Sequence, residues 1–251
     1  MLPPLLIGPQ DPEPVQVTPG AHPRLLIVCD HAGHAVPEEL DGLGVPPDEL
    51  RRHIGWDIGA LDAARHLAQR YRATLVASVY SRLVIDLNRY PHHPASSPAE
   101  SDGTPVPGNA EMTAASRERR VAELFRPYHD RVAAELDALG NSAFLLSVHT
   151  MTDQLNGGTQ RSEEIGISWC EEDGTAEVAL NALGRDTNLN VGNNVPYAID
   201  LGEDYTTPEH AIRRGLRHLQ IEFRQDLVAN PVAAAHWADR FAPALDAAVA
   251  L

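Results

Sequence analysis

The sequence predicts an α/β fold whose central sheet is mixed and largely parallel. Apolar runs of strand length alternate with longer segments of helical periodicity along the chain. Helices between strands are typical of parallel sheets, because parallel neighbours need a long crossover connection. The chain also has 251 residues, of which 43% are hydrophobic, and this is enough to bury one sizeable core. We therefore expect one domain of this class.

The predicted elements follow one another in a regular order. Residues 1–23 hold seven prolines and are expected to form an extended arm, since proline has no amide hydrogen for a helix interior or a central strand. A single domain is predicted over residues 24–251. Its predicted strands span residues 25–29, 74–79, 83–87, 143–148, 165–169 and 219–223. Its predicted helices span residues 58–71, 113–139, 175–183 and 232–249.

Three long connections interrupt this alternation, at residues 91–109, 153–164 and 192–208. They are rich in proline, glycine, asparagine and serine and have no helical or strand periodicity. Long connections of this kind usually form binding loops. We expect all three to border a pocket.

The composition excludes several kinds of chemistry. All 20 basic residues are arginine, against 35 acidic residues, and the net charge is -15 at pH 7. Without lysine the chain has no Walker-type phosphate loop and no amine for a Schiff base. Binding to a nucleic-acid backbone needs clustered basic side chains, so no nucleic-acid partner is expected. Cationic chemistry must come from arginine, histidine or a metal ion.

The sequence also favours a cytoplasmic protein without a membrane partner. Its two cysteines, Cys29 and Cys170, lie inside apolar stretches, and the N-terminus does not resemble a secretory signal. No apolar run approaches the roughly 18 residues of a membrane span. A reduced compartment is therefore expected.

Reactive side chains follow the predicted strands at the point where each strand ends. His31 follows the first strand, His149 follows the strand at 143–148, and Glu222 lies in the last strand. Ligands of open α/β sheets gather at the carboxyl ends of the strands. Histidines and a carboxylate that meet there can hold a catalytic zinc. The sequence therefore predicts a metal site at this edge, with Glu222 as the general base.

The second metal ligand has two candidates. Asp57 immediately precedes a helical pattern, where it could be an ordinary helix N-cap and still offer an oxygen to a metal. His34 lies three residues after His31, a short spacing found in metal motifs. The residues alone leave both candidates open.

Arginines at strand ends predict a site for an anionic substrate. Arg82 and Arg89 flank an apolar segment that ends in Asn88, and Arg224 follows the last strand. The planar guanidinium of arginine binds a carboxylate through two hydrogen bonds, so the Asn88–Arg89 pair suits a substrate with a free carboxylate. The third long connection adds Asn194 and Tyr197 as candidate binding residues, and His210, two residues beyond it, is a further candidate.

Six segments, in this order, resemble the N-formylglutamate amidohydrolase family. They cover about residues 24–240 and read CDHAGHAVP at 29–37, IGWDIGA at 54–60, YSRLVIDLNR at 80–89, SDGTPVPGN at 101–109, SVHT at 147–150 and IEFRQDL at 221–227. The resemblance implies a three-layer zinc-carboxypeptidase-like fold. It also implies hydrolysis of the N-formyl or similar N-acyl amide of an amino acid, most simply N-formyl-L-glutamate to formate and glutamate.

The resemblance also implies roles for the candidate residues. His31 and His149 would hold Zn²⁺ or another divalent metal, Glu222 would be the base, and Asn88 with Arg89 would anchor the substrate carboxylate. We expect Asp57 to be the intervening metal ligand, and Arg82 or the metal to stabilise the oxyanion. The chain departs from the usual family pattern at His34, where asparagine is common, and at Val195, where an acidic residue is common. Two alternatives are an exopeptidase or other N-acyl amino acid deacylase, and a non-catalytic protein that binds a small anion.

Overall fold

The computed structural model describes residues 5–171 and 174–251, and their strands form one large sheet and one small one. The large sheet contains β1 (Val15–Thr18), β2 (Leu25–Cys29), β3 (Thr74–Ser78), β6 (Phe144–Met151), β7 (Ile165–Ser168), β8 (Val191–Asn193) and β9 (Arg217–Arg224). Its order is β1-β3-β2-β6-β9-β7-β8. The small sheet pairs β4 (Glu100–Ser101) with β5 (Thr104–Pro105). 

The large sheet is mixed and mostly parallel. Its four central strands β3, β2, β6 and β9 run parallel to one another, whereas β1 pairs antiparallel with β3 and β7 pairs antiparallel with β9. β8 runs parallel to β7. The carboxyl ends of β2, β6 and β9 therefore meet at one edge, as the sequence predicted. The predicted α/β class is confirmed.

The helices lie on both faces of the sheet. The longer ones are α2 (Ala60–Tyr71), α4 (Ala114–Arg120), α5 (Arg126–Leu139), α6 (Thr175–Leu183) and α8 (Pro231–Val249). A π-helical turn, Val121–Phe125, joins α4 to α5, so the predicted helix at 113–139 is continuous. Short helices are α1 (Pro47–Leu50), α3 (Pro107–Ala110) and α7 (Thr206–His210). In the described part of the chain, no helix combines the length and hydropathy that crossing a membrane requires.

Two apolar clusters fill the spaces between these layers. One packs α2, α6 and α8 against one face of the sheet, with Phe223 and Phe241 at its centre. The other packs α5 and the segment at 83–87 against the opposite face, around Tyr128 and Leu145. Strands buried on both faces read as continuous apolar runs, which is why β2 and β6 were recognisable in the sequence.

The predicted strand at 83–87 is wrong, although its residues are buried. Its backbone forms turns, with Val84 N donating to Ser81 O and Arg89 N donating to Asp86 O. The strand that pairs with the outer side of β3 is β1, from the N-terminal segment. Apolar content predicted burial correctly here but could not distinguish a strand from a buried turn.

The proline-rich segment before residue 24 packs onto the domain, and it turns at 9–11 before it reaches β1. Within it, β1 forms an edge strand of the large sheet, the place where a proline-flanked strand is tolerated. Leu6 is buried in the apolar cluster around Tyr128, and its backbone N–H donates to Glu123. Pro3 and Pro4 lie outside the described residues.

Candidate active site

Three predicted ligands lie together at the carboxyl edge of the sheet. His31 follows β2, His149 lies in β6, and Asp57 lies in the connection before α2. Asp57 Oδ2 is 3.3 Å from His31 Nδ1 and 3.0 Å from His149 Nδ1. All three residues are buried, and one potential ligand atom from each lies within 4.8 Å of the others. Two imidazole nitrogens and a carboxylate oxygen are a donor set that fits zinc.

Asp57 faces the two histidines and does not cap the helix. The N-cap residue of α2 is Gly59, with a φ of 83°, and no side chain caps it. A Cβ atom at Gly59 would lie 2.3 Å from Val228 O, so the chain can turn into the helix here only with glycine. Burial opposes ionisation, but His31 and His149 outweigh it and lower the pKa of Asp57 below its ordinary value. The N-cap interpretation is therefore wrong, and the carboxylate is directed at the two histidines instead.

His34 lies apart from this group. Its exposed ring packs against Trp56, with 4.8 Å between the ring centroids. Between the two histidines, Gly33 packs on the backbone of Val79, where a Cβ atom would come within 2.1 Å of the carbonyl oxygen. The chain turns at this contact, and the turn separates His34 from His31. Of the two candidates for the second ligand, the structure brings only Asp57 to the histidines.

Arg82 is tied to the buried carboxylates around His31. Its Nε and one terminal nitrogen donate to Asp86 Oδ2 at 3.0 and 2.6 Å, and the other terminal nitrogen lies 3.3 Å from Asp57 Oδ1. Asp86 Oδ1 in turn lies 2.7 Å from His31 Nε2. Although burial opposes it, Arg82 and His31 hold the pKa of Asp86 well below its usual range. Asp86 was not among the predicted site residues; its position four residues after Arg82 was the available signal.

Glu222 lies beside the three ligands. It is opposite His149 in the parallel pair β6–β9 and opposite Gly166 in the antiparallel pair β9–β7. Burial raises the pKa of Glu222 to about 7, an effect that the charge of His149 opposes and that of Asp57 reinforces. A carboxyl group with a pKa near neutrality can both accept and return a proton at pH 7.

A cavity of 390 Å³ opens onto these residues. The site residues that line it are His31, Asp57, Arg82, Asn88, Arg89, His149, Tyr197, Asp204 and Glu222. The connection at 194–198 covers part of it, and Gly166 permits this close approach because a Cβ atom there would lie 2.9 Å from Val195 O. The cavity therefore combines the histidine–aspartate group with polar side chains from two connections.

Asn88 and Arg89 are held by Asp204. Arg89 forms an ion pair with Asp204 Oδ1, and Asn88 Nδ2 donates to the same oxygen at 3.2 Å. Asn88 Oδ1 accepts from Thr206 N at 3.0 Å. Among the described residues, the hydrogen bonds of the Arg89 side chain go through a single terminal nitrogen. The other edge of its guanidinium is therefore available to a ligand in the cavity. Asp204 carried no strand-end or spacing signal in the sequence.

Three predicted binding residues, Arg224, Asn194 and His210, do not line this cavity. Arg224 pairs with Asp226, two residues away, instead of turning towards Glu222. Asn194 Oδ1 accepts a hydrogen bond from Trp169 N at the edge of the sheet. His210 packs against His129 below the site, with 2.9 Å between His129 Nδ1 and His210 Nε2. Each of these side chains forms its polar contact with a residue outside the cavity.

The fold and the site together define an α/β protein with a buried two-histidine, one-aspartate group beside a carboxyl whose pKa lies near neutrality. The profile of the N-formylglutamate amidohydrolase family matches residues 23–229. The match spans most of the chain, and the chain belongs to this family. The resemblance seen in the six sequence segments is confirmed.

Two crystal structures share this fold. A gene product of Agrobacterium tumefaciens is 34% identical, with a TM-score of 0.86 over 96% of this chain and 98% of that chain. An N-formylglutamate amidohydrolase from Ralstonia eutropha is 21% identical, with a TM-score of 0.64 over 94% of this chain and 97% of that chain. No curated protein was found to match the chain.

Proposed function

We propose that the protein is a metal-dependent amidohydrolase that removes the N-formyl group, or a similarly small N-acyl group, from an amino acid. The simplest reaction is N-formyl-L-glutamate plus water to formate and glutamate. The observation that carries the proposal is the buried group of His31, Asp57 and His149 with Glu222 beside it in one cavity. Membership of the N-formylglutamate amidohydrolase family supports the choice of substrate.

His31, Asp57 and His149 would hold the metal, most simply Zn²⁺. A divalent cation bound there would polarise the amide carbonyl and acidify a water molecule. Asp57 supplies one negative charge to offset the cation, and its Oδ2 is fixed by Thr150 N at 3.3 Å. The positions of these three residues are set by β2, β6 and the turn before α2, so the ligands need little rearrangement.

Glu222 would move the proton. With a pKa of about 7, a substantial fraction of it is ionised at neutral pH and can take a proton from the attacking water. The same carboxyl then returns the proton to the amine nitrogen as the amide bond breaks. Glu222 is buried apart from the side that lines the cavity, so a substrate bound there would shield that proton from bulk water.

Arg89 would bind the substrate carboxylate. Its guanidinium lines the cavity, and one edge is free while Asp204 holds the other. Arg82, which also lines the cavity, is engaged by Asp86 and Asp57, so its contribution to oxyanion stabilisation is limited to the field of a largely neutralised charge. Tyr197 lies at the cavity edge, where its hydroxyl accepts from Arg161. We therefore assign carboxylate binding mainly to Arg89, with Asn88 orienting it.

The decisive experiment measures hydrolysis of N-formyl-L-glutamate by the purified protein before and after chelation, with Zn²⁺ then added back. We expect chelation to abolish turnover and metal addition to restore it. His149→Ala should remove activity and metal together, whereas Arg224→Ala, outside the cavity, is the matched control. Turnover that survives complete metal removal would contradict the metal-dependent mechanism.

A panel of acyl groups separates this proposal from a broader deacylase. N-formyl, N-acetyl and peptide-linked glutamate present the same carboxylates with acyl groups of increasing size. A formyl-selective enzyme loses activity as the acyl group grows, and an exopeptidase retains it. Glutamate binding without turnover of any of the three would favour a non-catalytic binding protein.

A further inference from the structure

The two histidines of the site share one arrangement. Each directs Nδ1 towards Asp57 and has a second buried carboxylate near its Nε2. For His31 that carboxylate is Asp86, at 2.7 Å; for His149 it is Asp30, with Oδ2 at 3.4 Å. A hydrogen on Nε2 would leave the Nδ1 lone pair on the side of Asp57, where a metal ligand needs it.

The two carboxylates near the Nε2 atoms, Asp86 and Asp30, are held by different partners. Asp86 is paired with the charged Arg82, whereas Asp30 Oδ1 accepts a hydrogen bond of 2.7 Å from the hydroxyl of Tyr128 on α5. Both Asp30 and Tyr128 are buried. No arginine forms an ion pair with Asp30 in the part of the chain that the structure describes.

Asp30 Oδ2 has a single candidate donor nearby. Within the described residues this buried oxygen accepts no hydrogen bond, and His149 Nε2, at 3.4 Å, is the ring nitrogen that lies near it. Ser147 Oγ is closer to the same nitrogen, at 3.0 Å. A hydroxyl is a weaker acceptor than a carboxylate, so Asp30 favours a hydrogen on Nε2 more strongly than Ser147 does.

We propose that Asp30 and Tyr128 are positioning residues that fix the tautomer and ring orientation of His149 for metal binding. The proposal rests on the metal-dependent function proposed above. Tyr128 acts through Asp30: its hydroxyl anchors Oδ1, so that Oδ2 stays directed at His149. Asp30 and Tyr128 thereby do for His149 what Asp86 and Arg82 do for His31.

The first test compares Tyr128→Phe with Tyr71→Phe. Tyr71 is the matched control because its hydroxyl also donates to an aspartate, Asp246 Oδ1 at 2.8 Å, but between α2 and α8. The measurements are the Zn²⁺ dissociation constant by chelator competition and the visible absorption of the Co²⁺-loaded protein. Loss of an outer-shell partner typically weakens metal binding about 10–100-fold. We expect Tyr128→Phe to bind Zn²⁺ about 10-fold more weakly than the wild type, and Tyr71→Phe to bind it as tightly as the wild type.

The second test asks whether Tyr128 acts through Asp30. Asp30→Asn keeps the shape but can donate to Nε2 and so favour the wrong tautomer; we expect the full loss, about 100-fold, in Zn²⁺ affinity. Adding Tyr128→Phe to Asp30→Asn should then change the affinity little, because the two act in series. KM should be unchanged in variants that retain metal, since neither residue lines the cavity.

The outcomes separate the two proposals. A wild-type protein that binds no Zn²⁺ would overturn the metal-dependent function and this inference with it. Wild-type Zn²⁺ binding with unchanged affinity and unchanged Co²⁺ absorption in Tyr128→Phe and Asp30→Asn would overturn the inference alone. A larger loss in Ser147→Ala than in Asp30→Asn would assign the positioning to Ser147 instead. Urea unfolding of each variant separates an effect on the metal site from loss of the fold.

Discussion

Two halves of the site are positioned by different forces. In the strand-end half, which consists of His31, His149 and Glu222, the residues lie in β6 and β9 or just after β2, so the backbone hydrogen bonds of the sheet fix them. The connection half consists of Asn88, Arg89, Tyr197 and Asp204, and its backbone belongs to no strand of the large sheet. There the pairing between the two segments is an isolated bridge of Arg89 with Asp204.

Buried polar side chains take the place of a strand ladder in the connection half. The fully buried Arg120 donates to Val84 O at 2.8 Å and to Asn109 Oδ1 at 2.6 Å. His129 Nε2 donates to Leu87 O at 2.9 Å, directly before Asn88. The comparison shows how an irregular segment is held in place: each buried carbonyl needs a partner, and here side chains from α4 and α5 supply it.

The largest effect is expected in the strand-end half, from Glu222→Gln. The amide cannot accept the proton, so kcat should fall by about 10²–10⁴-fold while Zn²⁺ content stays at the wild-type level. Steady-state kinetics and elemental analysis measure the two quantities. Equal kcat in the variant and the wild type would remove Glu222 from the reaction.

For the side chains that support the connection half, Arg120→Met should lower the free energy of unfolding by about 2–3 kcal/mol, because the buried Asn109 Oδ1 loses its donor. Burial, with a smaller contribution from Arg117, lowers the pKa of Arg120 to about 10, so the guanidinium is charged at pH 7. The exposed Arg131→Met is the control and should change stability by less than about 0.5 kcal/mol. We also expect a raised KM in Arg120→Met. A stability loss without any change in KM would show that the connection half does not bind substrate.

Acid should destabilise the fold through the buried pair of side chains His129 and His210. Burial, reinforced by His210, lowers the pKa of His129 to about 3, and burial lowers that of His210 to about 4. Both folded-state values lie below the unfolded value of about 6.5, so their contribution to stability is complete above pH 6.5 and is lost as the pH falls below it.

The expected slope is about 1.4 kcal/mol per pH unit for each histidine between pH 6.5 and 4. Urea unfolding at pH 7 and pH 5 measures it, and the variant His210→Gln isolates it. Between pH 7 and pH 5, we expect the free energy of unfolding of this variant to fall by about 2 kcal/mol less than that of the wild type. Identical losses in the two proteins would show that His210 titrates normally in the folded state.

The smallest expected effect is that of Asp204→Asn. Without the negative charge of Asp204, the positive charge of Arg89 attracts the substrate carboxylate more strongly. KM for N-formyl-L-glutamate should therefore fall by about threefold to tenfold, where a factor of ten corresponds to about 1.4 kcal/mol. Asp200→Asn, exposed at the same cavity, is the control. A higher KM in Asp204→Asn would instead mean that Asp204 mainly orients Arg89 for the substrate.

The strand-end half could be predicted from the sequence because it depends on local patterns. Buried parallel strands read as apolar runs, and the position of His149 within β6 or His31 after β2 follows from where those runs end. In the connection half the sequence predicted the Asn88–Arg89 pair but not Asp204, which holds both side chains. The ion pair of Arg82 with Asp86 could not be predicted either, because turns replace the strand expected at 83–87. That ion pair, and its contact with His31, depend on these turns.

By itself, the sequence determined the α/β class, the family and the residue types available for catalysis. A chain whose 20 basic residues are all arginine must recognise anions through arginine or a metal. Only the tertiary structure decided which candidates meet: Asp57 and not His34 at the histidines, and Arg89 and not Arg224 at the cavity. The reason is that strand patterns are encoded by neighbouring residues, whereas the partners of a charged side chain depend on residues far away in the chain, such as Asp204 for Arg89 and Tyr128 for Asp30.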